Sequence, residues 1–236
     1  METHPRIAIH GASGRMGQAL LRLAAERQDL QVVAAVSRKV SSRAVDGIPQ
    51  FTASELGGLP EFDVAIDFSL AEGFDGILSA CVARNAALVS GTTGLSPAQQ
   101  ESIAAAAASI PVLWAANYSL GVAALSELVE RAAAALVGWD CDIVESHHVH
   151  KKDAPSGTAL ALGAAAERGG AHPRYASLRA GDIVGEHLVQ FTTLGERIEL
   201  VHRATNRDIF ARGALHAASR LAGRAPGRYQ LRDLLD

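Results

Sequence analysis

The sequence is poor in cysteine and contains no long apolar run. Of its 236 residues only Cys81 and Cys141 are cysteines, so a disulfide scaffold is excluded and a reducing, cytoplasmic location is expected. No apolar run approaches the roughly 20 residues that span a bilayer. Residues 1–5 lack the cationic and apolar regions of a signal peptide. We therefore expect a cytoplasmic protein without a membrane partner.

The sequence also lacks a large excess of charge and is poor in aromatic residues. Its net charge is −3, which gives no bulk attraction to nucleic acid or to anionic membranes. Hydrophobic residues make up 48% and aromatic residues 5% of the chain, which predicts an aliphatic globular core. No internal repeat or low-complexity linker is present, and the length suits one large or two modest domains.

The chain opens with a predicted strand, a glycine-rich turn and a predicted helix. Residues 6–10 are mostly apolar, residues 11–17 read GASGRMG, and residues 18–25 carry apolar side chains at helical spacing. Glycines at such a turn let the backbone approach a pyrophosphate above the helix N-terminus. This context predicts a dinucleotide-binding turn. The simpler alternative is a tight turn without a ligand.

The second predicted strand, residues 31–36, is not followed by an acidic residue. An NAD-preferring enzyme usually has Asp or Glu about 20 residues after the glycines, where it binds the ribose 2′-hydroxyl. Here the residues are Ser37, Arg38 and Lys39. A hydroxyl and two cations suit a 2′-phosphate, so we predict a preference for NADPH, with NADH use possible. Alternatively, Arg38 and Lys39 are ordinary surface charges.

Strands and helices continue to alternate as far as residue 115. Strands are predicted at 64–69, 86–90 and 111–115, helices at 72–84 and 97–108, and a loop with one short element at 40–62. The alternation predicts an α/β fold with a Rossmann-like, doubly wound parallel sheet. Ligands bind beyond the carboxyl ends of the strands of such sheets, which is where four loops fall, at 11–17, 67–69, 91–94 and 115–118.

The pattern changes after Gly121. The predicted elements are a helix at 122–136, a strand at 139–149, a helix at 158–167, a loop around Pro173, an antiparallel hairpin at 188–194 and 198–202, and a final helix at 209–221. We therefore predict a dinucleotide-binding domain of residues 1–118 plus 208–236. A second, smaller α+β domain is predicted at 119–207.

Residues 145–159, ESHHVHKKDAPSGTA, place basic side chains before a helix start. Pro155 ends any regular element before it, Ser156 can cap the following helix, and Gly157 permits close approach of a ligand. A helix N-terminus attracts anions. With Lys151 and the imidazoles nearby, the segment predicts a pocket for a small carboxylate.

Two other interpretations fit this segment. The first is a solvated strand end followed by a plain turn. The second is a metal site, because strand spacing would place His148 and His150 on the same side. Lys151 and Lys152 oppose a bound cation, and we predict no metal.

Together these motifs resemble the dihydrodipicolinate reductase family of bacterial lysine and diaminopimelate biosynthesis. The matching segments are GASGRMG, DFS, GTTG, AANYSLGV, ESHHVHKKDAPSGTA and RAGDIVGEH, in family order. The resemblance implies hydride transfer from NADPH or NADH to a cyclic dicarboxylate imine, 4-hydroxy-tetrahydrodipicolinate. It also implies that the smaller domain binds this substrate and that its sheet forms the core of a homotetramer. The chain is shorter than many members near 40–50 and 167–180, which leaves the tetramer open.

The resemblance assigns roles by motif position. His147 is implied as the catalytic acid with Lys151 as its partner. The implied substrate contacts are His148, Lys151, Ser156, Gly157 and Thr158. The implied cofactor contacts, together with the residues after the second strand, are Gly11, Ala12, Ser13, Gly14, Arg15, Met16, Ser37, Arg38, Lys39, Gly91, Thr92, Thr93, Ala115, Ala116, Asn117 and Tyr118. We expect the histidine–lysine patch to face the bound nicotinamide.

Two functions of other classes compete with a reductase. A non-catalytic, nucleotide-sensing protein would explain the glycine turn but not the histidine–lysine segment. A metal-dependent hydrolase would use His147, His148 and His150. Stoichiometric zinc in the purified protein would favour the hydrolase.

Overall fold

A computed structural model describes residues 4–40 and 42–235. The first three residues, on which the expected lack of a signal peptide partly depends, lie outside the described residues. The chain divides into two compact units. The first contains the described residues up to Tyr118 together with Phe210–Leu234, and the second contains Ser119–Ile209 with Leu235. The ligand-binding roles predicted for the two domains stay predictions.

The elements alternate through most of the chain. The strands are β1 (Arg6–His10), β2 (Gln31–Ser37), β3 (Ala44–Val45), β4 (Ile48–Thr52), β5 (Val64–Asp67), β6 (Ala87–Ser90), β7 (Pro111–Trp114), β8 (Asp140–His147), β9 (Pro173–Arg179), β10 (Gly185–Thr193), β11 (Glu196–Ala204) and β12 (Gly227–Tyr229). The helices are α1 (Arg15–Ala24), α2 (Ala71–Arg84), α3 (Pro97–Ala106), α4 (Leu120–Ala135), α5 (Gly157–Arg168) and α6 (Asp208–Leu221), with short 3-10 helices at Ala53–Gly58 and Leu231–Leu234.

The first unit is built on an eight-stranded sheet in the order β12-β7-β6-β5-β1-β2-β4-β3. Every neighbouring pair is parallel except β3 with β4. All residues of β5 and β6 are buried, as expected for parallel strands covered on both faces. The predicted Rossmann-like parallel sheet is thereby confirmed.

Three strands of this sheet were not predicted. Residues 40–62 were expected to be loop with one short element, but β3, β4 and a 3-10 helix lie there. β4 extends the parallel sheet beside β2, and β12 pairs with β7 at the other edge. These strands are short and none of their residues is fully buried, so their sequences lack the continuous apolar run that marks the central strands.

The second unit has a four-stranded sheet in the order β11-β10-β8-β9. Buried residues of α4, α5, β8 and β10 form one hydrophobic core, including Leu125, Val129, Ile143, Leu162, Val189 and Phe191. Burial alternates along β8 and β10, so one face of the sheet packs in this core and the other is more accessible.

Several predictions for the second unit were wrong in detail. Pro173 begins β9 instead of a loop, as proline can at the first residue of a strand. β9 runs parallel to β8, so the sheet is mixed. β8 ends at His147. His148 and His150, the two residues of the alternative metal interpretation, therefore lie beyond the strand, and strand spacing does not apply to them.

Two local predictions about helix starts are confirmed. Ser156 caps α5 by accepting a hydrogen bond from the Ala159 N–H at 3.1 Å, although α5 begins one residue earlier than predicted. α3 starts at Pro97 behind the capping residue Ser96. Both cysteines are free and buried. No helix in the described part of the chain combines the length and apolar character needed to cross a membrane.

Candidate functional site

The glycine-rich turn of the first unit is too tightly packed for side chains at two of its glycines. Gly11 has φ +81°, and a Cβ there would lie 2.5 Å from the carbonyl oxygen of Phe68. A Cβ on Gly17 would lie 2.3 Å from the carbonyl oxygen of Gly11. Since real Cβ atoms do not approach backbone so closely, these positions require glycine. The turn therefore passes close against the end of β5 and the start of α1.

The start of α1 is arranged to receive an anion. Its N-cap is Gly14, and within the described residues no side chain caps the helix. The uncapped N–H groups and the helix dipole favour a negative group at this end. The Ser13 N–H instead donates to the Ser37 Oγ at 3.1 Å, which joins the turn to the end of β2. These residues fit the pyrophosphate of a dinucleotide.

A cavity of about 160 Å³ lies beside this turn. Its lining residues are Ala12, Ser13, Gln18, Ser37, Lys39, Val40, Ser42, Val45 and Gln50. The lining includes one cation, Lys39, and among the described residues it includes no Asp or Glu. Arg38 is exposed and is not part of the lining. The cavity is therefore compatible with a negatively charged group near Lys39.

The carboxylate of Asp67 forms hydrogen bonds with residues at the ends of neighbouring strands beside the glycine turn. Asp67 is fully buried at the end of β5. It is hydrogen-bonded to His10 Nδ1 at 2.9 Å and accepts bonds from Ser90 Oγ at 2.9 Å and Thr92 Oγ1 at 2.7 Å. Burial opposes its ionisation, but the hydrogen bonds, led by that of His10, outweigh burial and lower its pKa. This network holds the residues that precede two of the four predicted ligand loops.

The remaining predicted cofactor residues follow neighbouring parallel strands. Gly91, Thr92 and Thr93 follow β6, and Ala115, Ala116, Asn117 and Tyr118 follow β7. They therefore lie at the same edge of the sheet as the glycine turn. The Tyr118 ring is buried, and its hydroxyl donates to the Ser90 carbonyl oxygen at 2.8 Å. A cofactor contact at Tyr118 would therefore be made by its main-chain atoms.

In the second unit, β8 presents Glu145 and His147 on the same face of its sheet. Glu145 is 0% exposed and His147 is 8% exposed. His147 Nδ1 is hydrogen-bonded to Glu145 Oε2. Arg179, on β9, donates to both oxygens of Glu145, at 2.7 and 3.0 Å. Burial raises the pKa of Glu145, but the bonds from Arg179, Ser177 and His147 outweigh burial and lower it below its ordinary value.

The other ring nitrogen of His147 lies beside a residue without a side chain. A Cβ on Gly185 would lie 3.0 Å from His147 Nε2. The ring also meets His187 edge to face, with centroids 5.2 Å apart. Burial, followed by the charges of His147 and His202, lowers the pKa of His187 to about 4. His187 is therefore neutral near neutral pH.

The segment after β8 carries the predicted substrate residues. Lys151 is partly buried, and its Nζ lies 2.9 Å from Asp153 Oδ1. Desolvation and then the charge of Arg207 lower the pKa of His148. Ser156 is buried, and its N–H donates to Glu145 Oε1 at 3.3 Å. Gly157 is exposed and Thr158 half-buried in the first turn of α5.

The structure thus brings His147 and Ser156 together through Glu145. The rings of His148 and His150 lie 6.2 Å apart. Within residues 4–40 and 42–235, no group of three or more His, Cys, Asp or Glu side chains could hold a metal ion.

Four residues that hydrogen-bond in these two clusters were given no role by the sequence prediction. They are His10, Asp67, Glu145 and Arg179. For His10 and Asp67 the available signal was a polar residue at the end of an apolar strand. For Glu145 the signal was its spacing of two residues from His147, which places both side chains on one face of a strand.

The glycine turn at the edge of a parallel sheet, before the start of a helix, defines a dinucleotide-binding protein. Residues 5–118 match the family described as "Dihydrodipicolinate reductase, N-terminus", and residues 121–235 match "Dihydrodipicolinate reductase, C-terminus". The chain belongs to the dihydrodipicolinate reductase family.

Curated relatives match over nearly the full chain. A 4-hydroxy-tetrahydrodipicolinate reductase of Stenotrophomonas maltophilia (strain R551-3) is 74% identical over 99% of both chains. One of Xanthomonas campestris pv. campestris (strain B100) is 68% identical over 100% of both. These relatives and the family match support a nicotinamide cofactor.

Solved structures share the fold. The dipicolinate-bound dihydrodipicolinate reductase from Paenisporosarcina sp. TG-14 has a TM-score of 0.81 at 21% identity, covering 98% of this chain and 100% of that one. A C. glutamicum DAP dehydrogenase in complex with DAP has a TM-score of 0.61 at 15% identity, covering 99% and 96%.

Proposed function

We propose that this chain reduces 4-hydroxy-tetrahydrodipicolinate to tetrahydrodipicolinate, a step of lysine and diaminopimelate biosynthesis. The observation that carries the proposal is the hydrogen-bonded Glu145–His147 pair in a chain 74% identical to a reductase of that name. The experiment is to incubate the protein with enzymatically generated substrate and reduced cofactor and to identify the product by mass spectrometry. Tetrahydrodipicolinate is expected, and recovery of unreduced material alone would contradict the proposal.

The proposed chemistry releases the 4-hydroxyl group of the substrate as water and adds a hydride and a proton to the conjugated imine that this leaves. Two carboxylate contacts hold the ring. A bound nicotinamide cofactor supplies the hydride. We assign the proton donor to His147, because an imidazole can supply a proton near neutral pH. Lys151, His148, Ser156 and the start of α5 at Gly157 and Thr158 are assigned to the substrate carboxylates, since cations and helix N-termini favour anions.

The cofactor is assigned to the first unit by the fit of its glycine turn. We assign its pyrophosphate to residues 11–16, above the start of α1, and its other contacts to the loops after β6 and β7. We further propose that NADPH is preferred, which the cavity beside Ser37 and Lys39 supports. A 2′-phosphate at Lys39 would gain a charge-assisted hydrogen bond, which a 2′-hydroxyl cannot replace.

Replacing Lys39 by alanine is expected to lower kcat/KM with NADPH about tenfold, at the lower end of the range for losing a charged hydrogen bond. The same variant should change kcat/KM with NADH by less than about twofold, because NADH has no 2′-phosphate. Steady-state rates with each cofactor give both numbers. A clear NADH preference of the wild-type protein, or equal losses with both cofactors, would refute the assignment.

We also propose a homotetramer formed through the accessible face of the second unit's sheet. Val144, Leu178 and Val201 lie on this face and are 38%, 54% and 40% exposed. Leu188 pairs with Val144 on one side and with Val201 on the other, so these apolar side chains adjoin across the strands. The ion pairs Arg174–Asp142 and Arg203–Glu186 flank them. An apolar patch with a charged rim is typical of an interface.

In sedimentation equilibrium, the wild-type protein is expected to have the mass of four 24.6 kDa chains. Leu188→Glu should lower this mass, because it would bury a charge between the four-stranded sheets of two neighbouring chains. Val137→Glu is the control, since Val137 is 82% exposed beyond the end of α4. A wild-type monomer, or a Leu188→Glu variant of unchanged mass, would contradict the proposal.

A further inference from the structure

We propose that Glu145, clamped by Arg179, is a positioning residue that fixes the ring of His147 with Nδ1 held and Nε2 presented for proton transfer. This inference rests on the proposed function, because it deepens the role of His147 in that reaction. It assigns a function to two residues that do not themselves need to touch the substrate.

The first observation is that the Glu145 carboxylate is fixed from three sides. Arg179 donates to Oε1 at 2.7 Å and to Oε2 at 3.0 Å, and the Ser156 N–H donates to Oε1 at 3.3 Å. His147 Nδ1 binds Oε2. Because a two-pronged guanidinium pair sets the plane of a carboxylate, the direction of the His147 ring is set as well. A fully buried carboxylate with these partners cannot turn freely.

The second observation is that Arg179 also holds the segment that carries the substrate residues. Its Nη2 donates to the Asp153 carbonyl oxygen at 2.6 Å. Next to Arg179, the Ala180 N–H donates to the His147 carbonyl oxygen at 2.9 Å. The same arginine therefore links the carboxylate behind His147 to the loop containing Lys151.

The third observation concerns the charges that surround His147. The titratable and charged groups near it are Glu145 on β8, Arg179 on β9, His187 on β10, and His148 and Lys151 in the following loop. His187 is neutral near neutral pH. Among these groups Glu145 carries the single negative charge. An anion beside an imidazole favours its charged form, so a substitution at Glu145 is expected to change the pH dependence of the step assigned to His147.

Two substitutions are expected to move the pH dependence of kcat in opposite directions. Glu145→Gln removes the anion, so the pH above which kcat falls is expected to decrease. Above that pH, kcat of the variant should be about tenfold lower than that of the wild-type protein for each pH unit of the decrease. The KM for substrate should stay within about twofold of the wild-type value. Arg179→Gln removes the cation that neutralises Glu145, so the pH above which kcat falls should increase.

The control is Glu130→Gln. Glu130 is also paired with an arginine, since Arg168 Nε donates to its Oε2 at 2.9 Å, but this pair joins α4 and α5 at a partly exposed position. Its substitution should leave the pH profile unchanged. If Glu145 had only a structural role, Glu145→Gln and Arg179→Gln would both lower thermal stability without changing the pH above which kcat falls. That result would overturn the proposal.

A measurement that does not depend on activity separates this proposal from the proposed function. In nitrogen-15 NMR of the histidine rings, neutral His147 should carry its proton on Nδ1 in the wild-type protein. Glu145→Gln should show a mixture of the two tautomers. If the wild-type protein has no reductase activity but shows this tautomer change, the proposed function fails and the positioning role stands. An unchanged tautomer overturns the positioning role. If Glu145→Gln does not fold, the direction of the Arg179→Gln shift decides.

Discussion

Replacing His147 by glutamine is expected to lower kcat by about two to four orders of magnitude, the range for loss of a general acid. Glutamine can still bond to Glu145, but its amide cannot supply a proton near neutral pH. Because the side chain is nearly buried between Glu145 and Gly185, another donor or bulk water would not readily replace it. Steady-state kinetics with saturating cofactor measure the loss.

The matched control for this variant is His172→Gln. His172 is an exposed histidine between α5 and β9, and its substitution should leave kcat within about twofold, as is usual for surface positions. Thermal unfolding of both variants shows whether they remain folded. A folded His147→Gln protein with near wild-type turnover would remove His147 from the proposed mechanism.

Replacing Lys151 by alanine is expected to lower kcat/KM by about one to two orders of magnitude. A hydrogen bond to a charged group contributes roughly 1.5–3 kcal/mol, and each 1.4 kcal/mol corresponds to tenfold. Lys151 is partly buried and paired with Asp153, so its ammonium is held in place before substrate binds. Both kcat and KM should change, since the cation is assigned to binding and to the reaction.

The neighbouring Lys152 supplies the control. It is exposed, and Lys152→Ala removes the same charge one residue away. The bulk electrostatic attraction of a dianionic substrate falls equally in both variants, so a specific role predicts a loss in Lys151→Ala alone. Unaltered kcat and KM in Lys151→Ala, or equal losses in the two variants, would count against the assignment.

The central part of the first unit could be predicted because its strands are buried on both faces. Ile7, Ala8 and Ile9 form a continuous apolar run that ends at a glycine turn, and such runs identify parallel strands without further information. β4 could not be found in this way. Its sequence, IPQFT, contains a proline and polar residues, and its strand state depends on pairing with β2. That pairing is a tertiary contact which the local sequence does not encode.

The second unit was harder to predict because its sheet is mixed. Residues 173–179 are mostly exposed, so β9 lacks the alternation that marked β8. Its parallel pairing with β8 depends on the return of the chain through α5. Pro173 was interpreted as a loop marker, although it is also compatible with a strand start. The hairpin was found, but β10 begins three residues earlier than predicted and β11 extends two residues further at each end.

The candidate site could be predicted where chemistry is concentrated in one segment. Residues 145–159 hold the histidines, lysines and helix cap together. The role of Glu145 was missed because its partner Arg179 is 34 residues away in the chain. Burial also gives Glu145 its importance, and burial cannot be read from a single residue type. The pairing of Asp67 with His10 was missed for the same reason, since the two residues are 57 apart in the chain.

The two competing functions predict different results in one assay. A nucleotide-sensing protein would bind cofactor without oxidising it, and a metal-dependent hydrolase would act without reduced cofactor and contain metal.

The most direct measurement follows the absorbance of NADPH and of NADH while substrate is generated enzymatically by the preceding synthase reaction. We expect cofactor oxidation that requires both this substrate and the wild-type chain, that is faster with NADPH, and that nearly disappears with His147→Gln. Absence of oxidation with either cofactor, or oxidation at the same rate without the generated substrate, would contradict the proposed reductase.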